Sequence, residues 1–308
     1  MRAVGLQTRA NALHLRERMN RLRQLAPLLG CGLLAIWGLF LLLYPALSNH
    51  LYEARQDGVI RQYTDLSETG ELATLRAEAL TAAQQYNRQL AAGAVSLEEP
   101  FLTPTRPTAE GVERSLLDVT GTGVIATLSV PALELELPVY YGTGSDILEH
   151  GAGLLEGTSL PVGGAGTHSV LCAHSGLPAA RLFSDLEELE PGDRFSLEVL
   201  GETLTYQVDQ IRTVLPEDFS LLAIEPAEDY CTLLTCTPYG VNTHRLLVRG
   251  NRVEDAEAEP STEKPEEPAA APSTWLREYL TSLAVGGAVA AGCLLLGRIV
   301  SALWRKRR

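Results

Sequence analysis

The sequence predicts a mainly β protein: a barrel or sandwich of short strands, preceded by a helical stalk and bracketed by two segments of membrane-spanning length. Three observations carry that expectation. From Gly121 onward, short apolar runs recur between Gly and Pro punctuation, the spacing of an all-β domain. Residues 48–92 are instead rich in Ala, Leu, Glu, Gln and Arg, the strong helix formers. Two long apolar runs lie at 25–47 and 279–304, each beside a basic terminus.

Residues 1–24 form a basic tail with six Arg against one Glu. The uncharged run LAPLLGCGLLAIWGLFLLLYPAL, 25–47, is long enough as a helix to cross about 30 Å of hydrocarbon. It exceeds the apolar core of a cleaved signal peptide, and no small-x-small cleavage site follows it, so an anchor is expected. The second span is expected over 275–304. There Arg298 interrupts the run and can snorkel toward the basic tail 305–308. Basic flanks stay in the cytoplasm, so both termini are expected inside and residues 48–275 outside the cell.

Between the spans, residues 48–95 read as the helical stalk, with a break and restart at Thr69 and Gly70. Residues 96–110, SLEEPFLTPTRPTAE, hold three prolines and no helical period, and read as a loop. The β domain is expected over 111–253, with runs such as GVIATLSV, LELPVYY, HSVLCAH, RFSLEVL, ETLTYQVDQIRTVL, CTLLTC and HRLLVRG. Residues 254–274 are Pro-, Glu- and Ala-rich, the composition of a self-repelling tether.

Formal net charge is −13, but the two basic ends conceal a middle with 13 basic and 36 acidic residues, a net of −23. Such a surface argues against nucleic-acid binding, which needs a basic footprint. Of five cysteines, Cys31 and Cys293 fall in the apolar runs as small apolar residues, leaving Cys172, Cys231 and Cys236 outside. An odd exported number implies that at least one thiol stays free. The histidines are scattered and no carboxylate cluster has ligand spacing, so neither a metal nor a cofactor is expected.

The strongest chemical signal is CTLLTCTPYGVNTHRLLVRG, Cys231 to Gly250. A strand ends at Cys236, a Thr-Pro-Tyr-Gly turn follows, and a second strand begins with Arg245. Alternation sets Thr232, Leu234 and Cys236 on one face and Cys231, Leu233 and Thr235 on the other, so Cys231 and Cys236 point apart and a disulfide between them is not expected. A thiol with a free pKa of about 8.5 needs a base or a cation to act at neutral pH. Arg245 can return beside Cys236 across the turn, where its planar fork would hold a substrate and an oxyanion. His174 ends another strand, HSVLCAH, and enters a Gly-Pro loop from which it can face the cysteine. His168 opens that strand and reads as structural. His244 alternates to the face opposite Arg245, and Arg249 shares that residue's face farther from the turn. Cys172 reads as a core residue or, if it lies near enough, a redox partner for Cys236.

Together with LPVYYGTGSDILEHGAGLLEGTSLPVGGAGTHSVLCAHSGLPAARLFSDLEELEPGD, the run TLLTCTPYGVNTHRLLVRG resembles the class C sortases, the pilin-polymerising branch, from about Gly121 to Val253. That resemblance implies an eight-stranded sortase β-barrel on the outer face of a Gram-positive-type membrane, with Cys236, His174 and Arg245 as catalytic residues. It implies thiolate attack on the Thr–Gly bond of an LPXTG-type sorting signal, protonation of the leaving amine by His174, orientation of the peptide and oxyanion by Arg245, and resolution of the thioacyl intermediate by a pilin lysine. The implied partners are pilins or other surface proteins that bear the signal. Class C sortases also carry a lid with an Asp-Pro-aromatic motif; here the match is Glu99, Pro100 and Phe101, with Glu in place of Asp. Ser175 stands where many relatives have Arg. Attachment of proteins to peptidoglycan, a non-enzymatic assembly scaffold and a plain cysteine protease are the alternatives.

Overall fold

The computed structural model describes residues 48–67, 70–93, 116–175 and 180–254, together with 97, 99–101, 177 and scattered positions within 30–47 and 281–298. The chain divides into two units, Met1–Leu47 with Glu278–Arg308, and Ser48–Arg277. In the first unit the described residues are helical, and Leu34, Ile36, Trp37 and Phe40 are exposed. Among the described residues no helix is long and apolar enough to cross a membrane. Much of the two expected spans lies outside the described residues, as do the basic tails, nearly all of the acidic tether and most of the 96–110 loop.

In the second unit the stalk is two helices, α1 over 48–67 and α2 over Ala73–Ala92, joined through a 3-10 turn at Gly70–Leu72. Each is fastened to the β domain by a buried polar side chain. Tyr63 of α1 donates to the Ile125 carbonyl at 3.3 Å and accepts from the Leu200 N–H at 3.2 Å. Asn87 of α2 donates to the Leu160 carbonyl at 2.9 Å and accepts from the Leu160 N–H at 2.8 Å. Both satisfy backbone groups that burial would otherwise leave unpaired.

The eight strands are β1 (Val124–Val130), β2 (Leu135–Tyr141), β3 (Ala152–Leu154), β4 (Thr167–Cys172), β5 (Arg194–Val199), β6 (Glu202–Val214), β7 (Asp229–Thr237) and β8 (His244–Arg252). They close into a barrel in the order β1-β2-β3-β4-β7-β8-β6-β5. A short helix, α3 (Ser145–Leu148), leads from β2 toward β3. The pairs β2–β3 and β4–β7 are parallel; the rest are antiparallel.

Strand alternation separates two cores. The barrel interior holds Leu128, Leu137, Leu171, Phe195, Cys231, Leu233 and Val248, among others. On the outer face of β4, β7 and β8, Val170, Cys172, Leu234 and Leu247 form a second cluster. It is covered by Leu222 and, from the segment after α2, by Leu97 and Phe101. At Gly250 a Cβ would lie 2.7 Å from the Phe195 ring, so only glycine lets the stacked Phe195–Tyr206 pair fill the barrel there.

Candidate active site

Strand pairing assembles the site. On β7 and β8, Cys236 is directly opposite Arg245. On β4 and β7, Cys172 is opposite Leu234, and carrying this register two residues on brings His174 opposite Cys236. Because β4 and β7 are parallel, both C-terminal ends reach the same rim. Two hydrogen bonds hold the extension in place: the Ala173 N–H donates to the Leu234 carbonyl at 3.2 Å, and the Thr235 hydroxyl donates to the Ala173 carbonyl at 2.7 Å. His174, Cys236 and Arg245 therefore stand in a row across three neighbouring strand ends, on the outer face of the barrel. The turn between β7 and β8 is closed by Val241 and Asn242 N–H groups donating to the Pro238 carbonyl, both at 3.0 Å.

The segment after α2 covers this row. The Arg245 Nε donates to Glu99 Oε1 at 2.5 Å, and the Phe101 N–H donates to Glu99 Oε2 at 2.9 Å. The Arg245 Nη1 donates to the carbonyls of Asn242 at 3.1 Å and His244 at 2.9 Å. The Phe101 ring lies 5.6 Å from the His174 ring and 5.2 Å from the Arg245 guanidinium, a tilted aromatic contact and a cation–π contact. As a result Cys236 is only 6% exposed and Arg245 only 3%.

Burial sets the protonation of the pair. It pushes the Cys236 thiol up to about 11; Arg245 opposes the rise and Glu99 adds to it. Burial also lowers the His174 imidazole, while the Glu149 carboxylate opposes that fall. Under the cover, the neutral thiol and neutral imidazole thus predominate at pH 7, since desolvation penalises each charged form.

The remaining candidates have other partners. His168 is buried, its ring nitrogens bonded to the Ala223 carbonyl at 3.0 Å and the Thr232 hydroxyl at 2.8 Å. The His244 Nδ1 is 3.0 Å from the Thr243 hydroxyl. Arg249 grips Asp209 through two nitrogens and stacks on Tyr230 at 4.0 Å. Cys172 is wholly buried in the outer cluster and Cys231 in the barrel interior; with Cys236 all three are free. Cys172 sits diagonally from Cys236 in the register, a Cα spacing of about 7–8 Å that exceeds the reach of a disulfide without strand movement. Among the described residues no group of three or more His, Cys, Asp or Glu side chains could hold a metal. Thr235, which ties the His174 segment to β7, and Glu149, which bears on His174, lie within the two runs that carry the family resemblance, but neither is singled out there for a role.

The barrel has relatives among known proteins. A family model for the sortase domain matches residues 128–253. Sortase C1 from Streptococcus agalactiae is 38% identical in sequence, with a TM-score of 0.59 over 64% of this chain and 98% of that one. Sortase C from Streptococcus pneumoniae is 44% identical, with a TM-score of 0.59 over 64% of this chain and 97% of that one. Among curated sequences, sortase A from Streptococcus agalactiae serotype III is 30% identical over 128 residues, 41% of this chain and 51% of that protein. The chain thus spans about half the length of that relative. The chain belongs to the sortase family. Within that family its structural likeness is to the class C sortases.

Proposed function

We propose that this chain is a membrane-anchored cysteine transpeptidase that joins pilin subunits. The observation that carries the reading is the row of His174, Cys236 and Arg245 on three adjoining strand ends. In the reaction, the Cys236 thiolate attacks the Thr carbonyl of an LPXTG-type signal. Arg245 holds the peptide and donates to the oxyanion. Collapse of the tetrahedral adduct breaks the Thr–Gly bond as the His174 imidazolium gives its proton to the leaving amine. A lysine amine of the next pilin then attacks the thioester, forming an isopeptide bond and releasing the thiol.

Before any of this, Glu99 must leave Arg245 and Phe101 must withdraw from between His174 and Arg245. Opening readmits water and frees the guanidinium, and both changes lower the thiol toward its ordinary value. The pilin acceptor is supported by the likeness to the Streptococcus pneumoniae enzyme, whose structure is described in terms of pilin substrate specificity. Anchoring is supported by the apolar runs 25–47 and 279–304 with their basic flanks, which would hold the site on the outer membrane face.

The purified full-length chain in detergent, given an LPXTG-type peptide and one of three acceptors, tests the reading. A lysine-bearing pilin segment should yield an isopeptide-linked product by mass spectrometry, and Cys236→Ala should yield none while still binding peptide. Product with a peptidoglycan-type amine alone would assign cell-wall attachment instead. Hydrolysis alone would assign a protease. No cleavage, even with Glu99 and Phe101 replaced, would leave only a scaffold.

A further inference from the structure

The stalk reaches the catalytic row from the side opposite Arg245. Continuing the β3–β4 register, in which Gly153 is opposite Cys172, brings position 151 beside His174, and the turn just before it carries Glu149 and His150. That turn is held from α1: the Tyr52 hydroxyl donates to the Glu149 carbonyl at 3.0 Å and the Gln56 amide to the His150 carbonyl at 3.3 Å. One turn earlier on the same helix face, Asn49 Oδ1 accepts the Arg181 N–H at 2.9 Å. Arg181 belongs to the loop that leaves His174, and two residues further the Phe183 N–H donates back to the His174 carbonyl at 3.1 Å. A closed circuit therefore runs from His174 through its loop to Asn49, along one helix face to Tyr52, and through Glu149 back to the edge of His174.

We infer that Glu149 is a positioning residue for the proposed transpeptidation, its carboxylate holding a proton on His174 and α1 holding the carboxylate's turn in place. The inference rests on the function proposed above. The other charged groups around His174 are spoken for: Glu99 by Arg245 from the covering segment, and Asp185 by Arg181 on the loop itself. Cys236 faces the imidazole from β7, His150 lies in the same turn as Glu149 with its Nδ1 2.7 Å from the Asp146 carbonyl, and Phe101 contributes an uncharged ring. Among the described residues, Glu149 is the charge that bears on His174, and it supports the imidazolium against burial.

The consequence is specific. When the active pair is thiolate with imidazolium and the thiol has the higher pKa, the reactive fraction scales with the separation of the two pKa values. Removing a carboxylate that supports the imidazolium lowers the plateau of the rate and moves its acid limb to lower pH, both by the same factor.

The test uses the full-length chain in detergent with Glu149→Gln and Glu149→Asp. For Glu149→Gln we expect the acid limb of kcat/KM to fall by about half a pH unit and the plateau by about threefold, the modest effect of a solvent-exposed charge. Glu149→Asp should restore most of both. The His174 ring is titrated separately by NMR in chains bearing Cys236→Ala, with His174→Gln for assignment. Its midpoint should fall with Glu149→Gln whether or not the chain turns over substrate. A plateau that falls with no shift of the limb, or an NMR midpoint that Glu149→Gln leaves in place, overturns the inference without touching the transpeptidase reading. Failure of the parent chain to act on any sorting peptide, with the NMR shift intact, overturns that reading and leaves the Glu149–His174 coupling standing.

Discussion

Burial and the Glu99 carboxylate work against ionisation of Cys236, and among the described residues Arg245 works for it. Arg245 is tied on its Nε to Glu99 and on its Nη1 to two backbone carbonyls. An ammonium cannot reproduce that planar, several-armed placement. Arg245→Lys is therefore expected to lower peptide turnover by about 10²–10³-fold, the usual cost of an oxyanion donor. Cys236 should still react with a small alkylating agent, which separates lost catalysis from a misfolded rim. At this scale Cys236, Arg245 and His174 stood out in the sequence because each ends or begins a strand beside a turn. The partners of His168 and Arg249 were not readable, since the Thr232 hydroxyl, the Ala223 carbonyl and Asp209 are remote in sequence and meet them only through the sheet register.

Among the elements, the segment around Glu99 and Phe101 packs over the row of His174, Cys236 and Arg245. It contributes the desolvating ring and a carboxylate that both raises the Cys236 pKa and occupies Arg245. Replacing Glu99 by Gln and Phe101 by Ala together removes two influences that raise the thiol and leaves the one that lowers it. The alkylation midpoint of Cys236 is expected to fall from about 11 by at least one pH unit, and the rate at pH 8 to rise about tenfold. An unchanged midpoint would show that the segment does not control the thiol. Seven of the eight strands were legible as apolar runs between turns. The eighth, β3, is three residues within EHGAGLLEG, and its glycine is there for backbone proximity: a Cβ at Gly153 would sit 2.2 Å from the Gly142 carbonyl. A strand chosen for closeness rather than for an apolar side chain leaves no periodic trace. The break between the stalk helices, by contrast, was marked by Ser-Glu-Thr-Gly and falls where helix 48–67 gives way to the turn at Gly70–Leu72.

For the whole molecule, the barrel order makes sequence-distant residues neighbours. Parallel pairing of β4 with β7 and antiparallel pairing of β7 with β8 turn separations of 62 residues (His174 to Cys236) and nine (Cys236 to Arg245) into one row. No periodicity argument gives that order; the family likeness implied an eight-stranded barrel and the three residues, and the pairing itself is read from the structure. The same limit applied to Asn49, Tyr52 and Gln56, which look like any polar face of a helix until the register sets the turn at Glu149 beside His174. The proposed anchoring also belongs to this scale. After cell lysis, the full chain is expected to stay in the membrane fraction through alkaline carbonate and to leave it only with detergent. Release by carbonate would contradict two spanning helices.

The most direct test of the central claim is the intact mass of the full-length chain during turnover of an LPXTG-type peptide, quenched in acid and mapped by proteolysis. A thioester of the peptide's LPXT portion is expected on Cys236, cleared by a lysine-bearing acceptor and absent from His174→Ala and Arg245→Ala chains. An acyl group on Cys172 or Cys231, or product formed by Cys236→Ala, would contradict it.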